Sequence, residues 1–231
     1  MMGRDHALSG AVAFVALAPL AAHVTAPELA LGTALTAGAA LLPDLDEPGS
    51  TISRGAGFLT MGFAHVVRWA ARGHRQGTHS LLGAAVFTVL AVLGVVTAPG
   101  RILLLAFLAL MISCALRVSR AVRGHLPDVA GLAVAAGLYF GHVDLAFAPA
   151  CVLLGVISHV LGDMATHGGC PLLWPISGRD FHDTPFAFTT GKFFESAVVT
   201  PVLALALAAA VAWDTGIVGY LAVHTSGHLA R

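Results

Sequence analysis

The chain has 231 residues, of which 57% are hydrophobic and only 10% charged, with 12 Lys and Arg balancing 12 Asp and Glu. Soluble domains carry about 25% charged residues, so the composition excludes that class, and a zero net charge gives no basis for nucleic-acid binding. Long apolar runs broken by short polar stretches point to an all-α, polytopic transmembrane helical bundle.

Seven apolar segments are expected, at about 8–24, 27–43, 81–98, 102–118, 127–141, 144–162 and 196–213, with six to eight as the range. They form a single membrane domain over residues 1–231. The first segment follows Arg4 and His6. With Val24-Thr25-Ala26 behind it, it has the loose outline of a secretory signal, but the second segment begins almost at once, and a helical hairpin accounts better for the pair. The second segment closes on Leu42-Pro43-Asp44-Leu45-Asp46. Carboxylates near the hydrocarbon boundary are costly unless paired or bound to a cation; the plain alternative is a turn with solvated acids.

A loop at about 44–80 then ends in His74-Arg75-Gln76-Gly77-Thr78-His79-Ser80. The planar fork of Arg75 suits phosphate or carboxylate; a basic flank resting on anionic headgroups is the simpler account. Two segments follow, then the basic stretch Arg117–Arg123. Asp128 and Asp144 are expected to begin segments five and six, where acids favour helix N-termini. Segment six ends in His159 and Asp163. Residues four apart share a helix face, and a neutral imidazole beside a carboxylate can clasp one divalent cation; a structural hydrogen bond explains an isolated pair equally well. His167 is a reserve candidate on the same spacing, although Gly168 and Gly169 suggest that the helix stops. A second loop, 163–195, precedes the last segment, and 215–224 is too short and polar to count. Cys114, Cys151 and Cys170 are scattered without a CxxC pair, so neither a disulfide framework nor a thiolate zinc site follows.

Parity gives the orientation. With the N-terminus on one side, that side carries Arg4, Arg54, Arg68, Arg72, Arg75, Arg117, Arg120, Arg123, Arg179 and Lys192, against Arg101 and Arg231 opposite. The positive-inside rule makes the richer side, with loops 44–80 and 163–195, cytoplasmic. The same parity gathers His6, Asp44, Asp46, His79, His159 and Asp163 at one depth. There are twelve histidines in all. A mixed His and Asp set suits zinc, manganese or iron, and several carboxylates allow one to three ions, with zinc the first expectation. Such sites activate water and neutralise charge on phosphoesters.

The pattern resembles the membrane-bound, metal-dependent hydrolase family called YdjM-like. The pieces are His6 with Gly10, Leu41-Leu42-Pro43-Asp44-Leu45-Asp46, His74-Arg75 with Thr78-His79-Ser80, His159-Val160-Leu161-Gly162-Asp163, Thr166, Gly169, Leu172-Leu173-Trp174-Pro175, and Gly191 with Glu195. Gln76 departs from the family's usual His-Arg-Gly. More remotely the family is similar to zinc-dependent phospholipases C and single-strand nucleases. That resemblance implies His6, Asp44, His79, His159 and Asp163 as ligands, with His182 and Asp183 in reserve. The resulting expectation is hydrolysis of a phosphoester in a membrane lipid or lipid-linked small molecule. Asp44, Arg75 and Glu195 are the catalytic candidates. His74, Arg75, Thr78, Ser80, Thr166 and Lys192 are the candidates to hold substrate. A transporter, lipid-handling or metal-binding protein without catalysis is the rival. Depth separates the two, because a transport path needs polar groups through the bilayer's middle.

Overall fold

The structure, a computed structural model, describes residues 1–20, 24–120, 122–181 and 187–216. Eight α-helices account for most of these residues: α1 (Gly3–Leu17), α2 (Ala26–Ala39), α3 (Phe58–Ala70), α4 (Leu81–Val96), α5 (Ala98–Ser119), α6 (Leu126–Phe140), α7 (Ala148–Met164) and α8 (Thr200–Asp214). There is no strand among the described residues, only two isolated bridges, Thr166 with Phe188 and Cys170 with Phe181. Pro99, Pro127, Pro149 and Pro201 open α5, α6, α7 and α8. A missing N–H costs nothing in the first turn of a helix. Thr25 and Glu28 form a reciprocal capping box at the start of α2.

Each of the seven apolar segments contains a helix, but the bounds differ. Helix α1 begins at Gly3, so His6 lies inside it rather than before it. Helix α7 begins at Ala148, which leaves Asp144 in the preceding turn, where its carboxylate accepts the Ala146 N–H at 2.9 Å. Helix α7 ends at Met164, so His167 is off the helix and exposed. Helix α3 was not expected; it fills part of the 44–80 loop. Two helical stretches are long and apolar enough to cross a bilayer, Ala98–Ser119 and Glu195–Asp214, against the ~20 residues a crossing takes. The others are shorter.

Small residues let the helices approach. Gly10 on α1 and Gly155 on α7 both face the Thr36 carbonyl and the Ala39–Ala40 end of α2. This places α1, α2 and α7 around one seam, with α4 and α5 behind. A Cβ at Gly155 would stand 2.6 Å from both the Ala39 Cβ and the Thr36 carbonyl oxygen. Gly155→Leu should therefore cost about 1–3 kcal/mol or more through overpacking against backbone that cannot yield, measured as a lowered unfolding midpoint in detergent. On the far side α5 and α6 are fastened by Asp128, which takes the Arg117 guanidinium and the Ser113 hydroxyl (2.5 Å). Outward faces are apolar: α8 has no buried residue and exposes Val202, Leu205 and Trp213. Contiguous apolar surface of this kind needs a non-aqueous neighbour.

Candidate metal centre

Four stretches meet at one end of the α1–α2–α7 seam. The last turns of α7 present His159 and Asp163. Helix α1 brings His6 against them. Its ring lies flat on that of His159, with centroids 3.6 Å apart and an interplanar angle of 11°. Gly162 leaves room for this, since a Cβ there would meet His6 Nδ1 at 3.3 Å. The 3-10 turn Pro43–Asp46 carries Asp44 and Asp46, and the turn Gly77–His79 carries Thr78 and His79. All three imidazoles are buried, as are Asp46 and Asp163.

Hydrogen bonding fixes how the rings are presented. His159 Nδ1 lies 2.6 Å from the Ala40 carbonyl; a carbonyl only accepts, so Nδ1 carries the proton and Nε2 keeps its lone pair. His79 Nδ1 is turned to Thr78 Oγ (3.0 Å) and to Asp46 Oδ2 (3.5 Å). The two Nε2 atoms then face each other at 3.1 Å. Two imidazole lone pairs at that distance repel unless a proton or a cation lies between them.

Two carboxylates ring the same point. Asp44 Oδ1 is 3.7 Å from His79 Nε2 and 3.9 Å from His159 Nε2; Asp163 Oδ2 is 3.6 Å from each. Four ligands bound to a tetrahedral zinc stand ~3.3–3.4 Å from one another, given bonds of about 2.0–2.1 Å. The observed separations of 3.1–3.9 Å straddle that value, and the donors are the two nitrogens and two oxygens that zinc or manganese accepts. The residues present therefore fit a divalent ion. Asp163 also has a second face. Its Oδ1 meets His6 Nε2 (3.3 Å), Arg75 Nη2 (3.1 Å) and the Met1 ammonium. His6, His159 and Asp163 form one set of ligand atoms within 4.8 Å of one another, and Asp44, His74 and His79 form another.

Asp46 sits behind His79 rather than beside its Nε2. Its carboxylate accepts from Thr78 Oγ (2.5 Å), the Arg75 N–H (3.2 Å) and His74 Nδ1 (2.7 Å). A carboxylate in that place orients the imidazole and sets its tautomer. Arg75 reaches two partners because its backbone is left-handed, at φ 57°. Its N–H turns to Asp46 while its guanidinium turns to Asp163. Such a conformation is uncommon for a residue other than Gly.

The charges are mutually supporting. Burial alone would raise the Asp44 carboxyl, but the neighbouring imidazoles of His159, His79 and His6 hold it well below the usual range. Burial likewise opposes ionisation of Asp46, and bonds from His74, His79 and Thr78 bring it to about 2. Burial disfavours charge on His79, yet Asp44 and Asp46 raise it to about 9. A proton on His79 thus relieves the facing nitrogens, and a cation held there would have to displace it.

The remaining candidates lie elsewhere or serve the framework. The Ser80 hydroxyl caps α4 by accepting the Gly83 N–H at 3.1 Å. Thr166 Oγ donates to the Asp163 carbonyl at 2.8 Å and is fully buried. Lys192 is exposed. Buried Glu195 accepts the Met2 N–H (2.6 Å) and the Gly191 N–H (2.5 Å), one on each oxygen. His182 and Asp183 lie outside the described residues. Two participants were not anticipated. Asp5 is fully buried and accepts Thr200 Oγ at 2.6 Å; its place beside His6 near a helix start was the available signal. The Ala40 carbonyl, which fixes His159, has no side-chain signal at all.

The profile of a family described as YdjM inner membrane protein matches residues 1–227. No curated protein and no solved structure matches the chain.

Proposed function

The chain belongs to the YdjM inner membrane protein family, and on that footing we propose that it is a multi-pass, membrane-embedded, metal-dependent hydrolase. Its substrate in this reading is a phosphoester in a lipid or lipid-linked molecule. The observation that carries the reading is the pair of facing Nε2 atoms of His79 and His159, ringed by Asp44 and Asp163. These four residues, with His6 on the outer face of Asp163, would hold the ion or ions, with zinc first and manganese next. A bound ion of this kind supplies Lewis acidity and makes water acidic enough to attack near neutral pH.

The protein's own groups do the rest. Asp44, at 22% exposure the most open carboxylate of the ring, accepts the proton of the attacking water. Arg75, at 25% exposure, lies at the rim against Asp163; its fork grips the anionic phosphoryl oxygens. Thr78 and His74 steady Asp46 and, through it, His79. Lys192 is free to meet a headgroup, whereas Glu195 is committed to backbone amides and serves to fasten the start of α1. Against a transport path stands the clustering of buried acids at one end, since Asp5, Asp163 and Glu195 lie near the α1 start and Asp46 shares Arg75 with Asp163.

The test is a panel of phosphoester lipids presented to the protein in nanodiscs, with chelator and with zinc or manganese restored. Chelator-sensitive hydrolysis of at least one lipid is expected. An ion-loaded protein that cleaves no ester would overturn the reading in favour of a non-catalytic one. The cytoplasmic placement of the site is tested with Gly49→Cys in whole cells. Labelling by an impermeant thiol reagent only after permeabilisation is expected, and ready labelling from outside would reverse the orientation.

A further inference from the structure

Helix α3 has 13 residues, and only Ala64 among them is buried. Val67 is half buried against the core, and the Phe63 ring meets Phe107 of α5 edge-on, with centroids 6.3 Å apart. Phe58, Leu59, Phe63, Val66 and Trp69 are exposed, Phe58 and Trp69 to 82% each. A helix this short is marginal in water on its own, and so little burial against the protein does not hold it. It is also ~20 Å long, too short to cross ~30 Å of hydrocarbon.

Its sequence has two sides. Leu59, Phe63, Val66 and Ala70 recur at helical spacing on one side; His65 and Arg68 lie on the other, with Arg54 and Arg72 just outside the two ends. All four of these polar residues are exposed. Arg68 is tied at 2.8 Å to Glu47, which leaves the segment net basic. Depth follows from α5. The Thr51 carbonyl meets Cys114, Gly55 lies against Leu110 and Cys114, and Phe63 reaches Phe107, midway along α5. The chain then returns, with Ala71 against Gly77 beside the metal-centre turn. The segment therefore dips beside α5 and comes back to the level of the site.

We propose that α3 is a lipid-seated helix, lying in the leaflet that adjoins the site, with anionic phospholipid headgroups against Arg54, Arg68 and Arg72. Three observations choose the bilayer as occupant. The chain is of an inner membrane protein family. Trp69, at the end of the helix that returns to the level of the site, is 82% exposed, and tryptophan is enriched at membrane interfaces. Basic residues on the polar edge of an amphipathic helix complement an anionic leaflet. The inference stands whether or not the site binds metal.

The test makes Trp69 the sole tryptophan, through Trp174→Phe and Trp213→Phe, in full-length protein reconstituted into vesicles of phosphatidylcholine with or without phosphatidylglycerol. Blue-shifted Trp69 emission, quenched by brominated acyl chains and spared by aqueous iodide, is expected. Iodide quenching without lipid quenching would overturn the proposal, and so would protection from both quenchers, which would mean that protein covers the face. Lipid quenching should be stronger with phosphatidylglycerol present. Equal quenching in the two vesicles would overturn the anionic-headgroup part. Arg54→Gln, Arg68→Gln and Arg72→Gln together should abolish the difference, and a difference that survives in a folded variant counts against those three residues.

Discussion

Replacing His159 and Asp163 together by Ala should strip the purified protein of its divalent ion, from stoichiometric content to background by elemental analysis. The two side chains supply two of the four donors around the candidate position, and Asp163 Oδ1 also faces His6. The remaining pair does not close a site: His79 with Asp44 leaves one nitrogen and one oxygen 3.7 Å apart. The variant also leaves the Ala40 carbonyl without its imidazole donor, at about 1–3 kcal/mol for a buried group. Monodispersity and helical circular dichroism must therefore accompany the metal measurement. His159→Gln, which keeps much of the volume, gives the milder version. Unchanged metal content in a folded variant would remove both residues from the ligand set.

The second large effect is expected from a residue that does not face the ion. Asp46→Asn should weaken metal binding by about 10–100-fold while leaving the fold intact, the usual cost of disturbing a carboxylate behind a ligating histidine. Asn keeps the shape but presents an NH2 where His74 Nδ1, the Arg75 N–H or Thr78 Oγ now donates. His79 then loses the partner that turns its Nε2 towards His159. Competition with a chromophoric chelator reads this range. A loss as complete as that of the His159 and Asp163 variant would make Asp46 a direct ligand, and no loss would deny it a positioning role.

The sequence made the helical class and the convergence at one end legible, because the His and Asp residues concerned stand near the ends of long apolar runs. It also singled out His159 and Asp163 by their spacing on one face. It was less able to rank the carboxylates. Asp44 and Asp46 look alike in Pro43-Asp44-Leu45-Asp46, but in a 3-10 turn residues two apart point differently, so one faces the Nε2 pair and the other the Nδ1 side of His79. Spacing also gave no hint that Ser80 caps α4 or that both Glu195 oxygens are spent on amides. Those roles depend on where loop backbone donors lie in space. Helix α3 was hidden for another reason. Its 13 residues are too few to register as a span, and they stand inside a longer polar loop.

The most direct test of the central claim is X-ray absorption at the edge of whatever divalent metal copurifies with the native protein. A first shell of nitrogen and oxygen at about 2.0–2.2 Å, with imidazole multiple scattering and no sulfur, is the expected result. An ion-free protein, or a shell containing sulfur or lacking imidazole, would contradict a site built from His79, His159, Asp44 and Asp163.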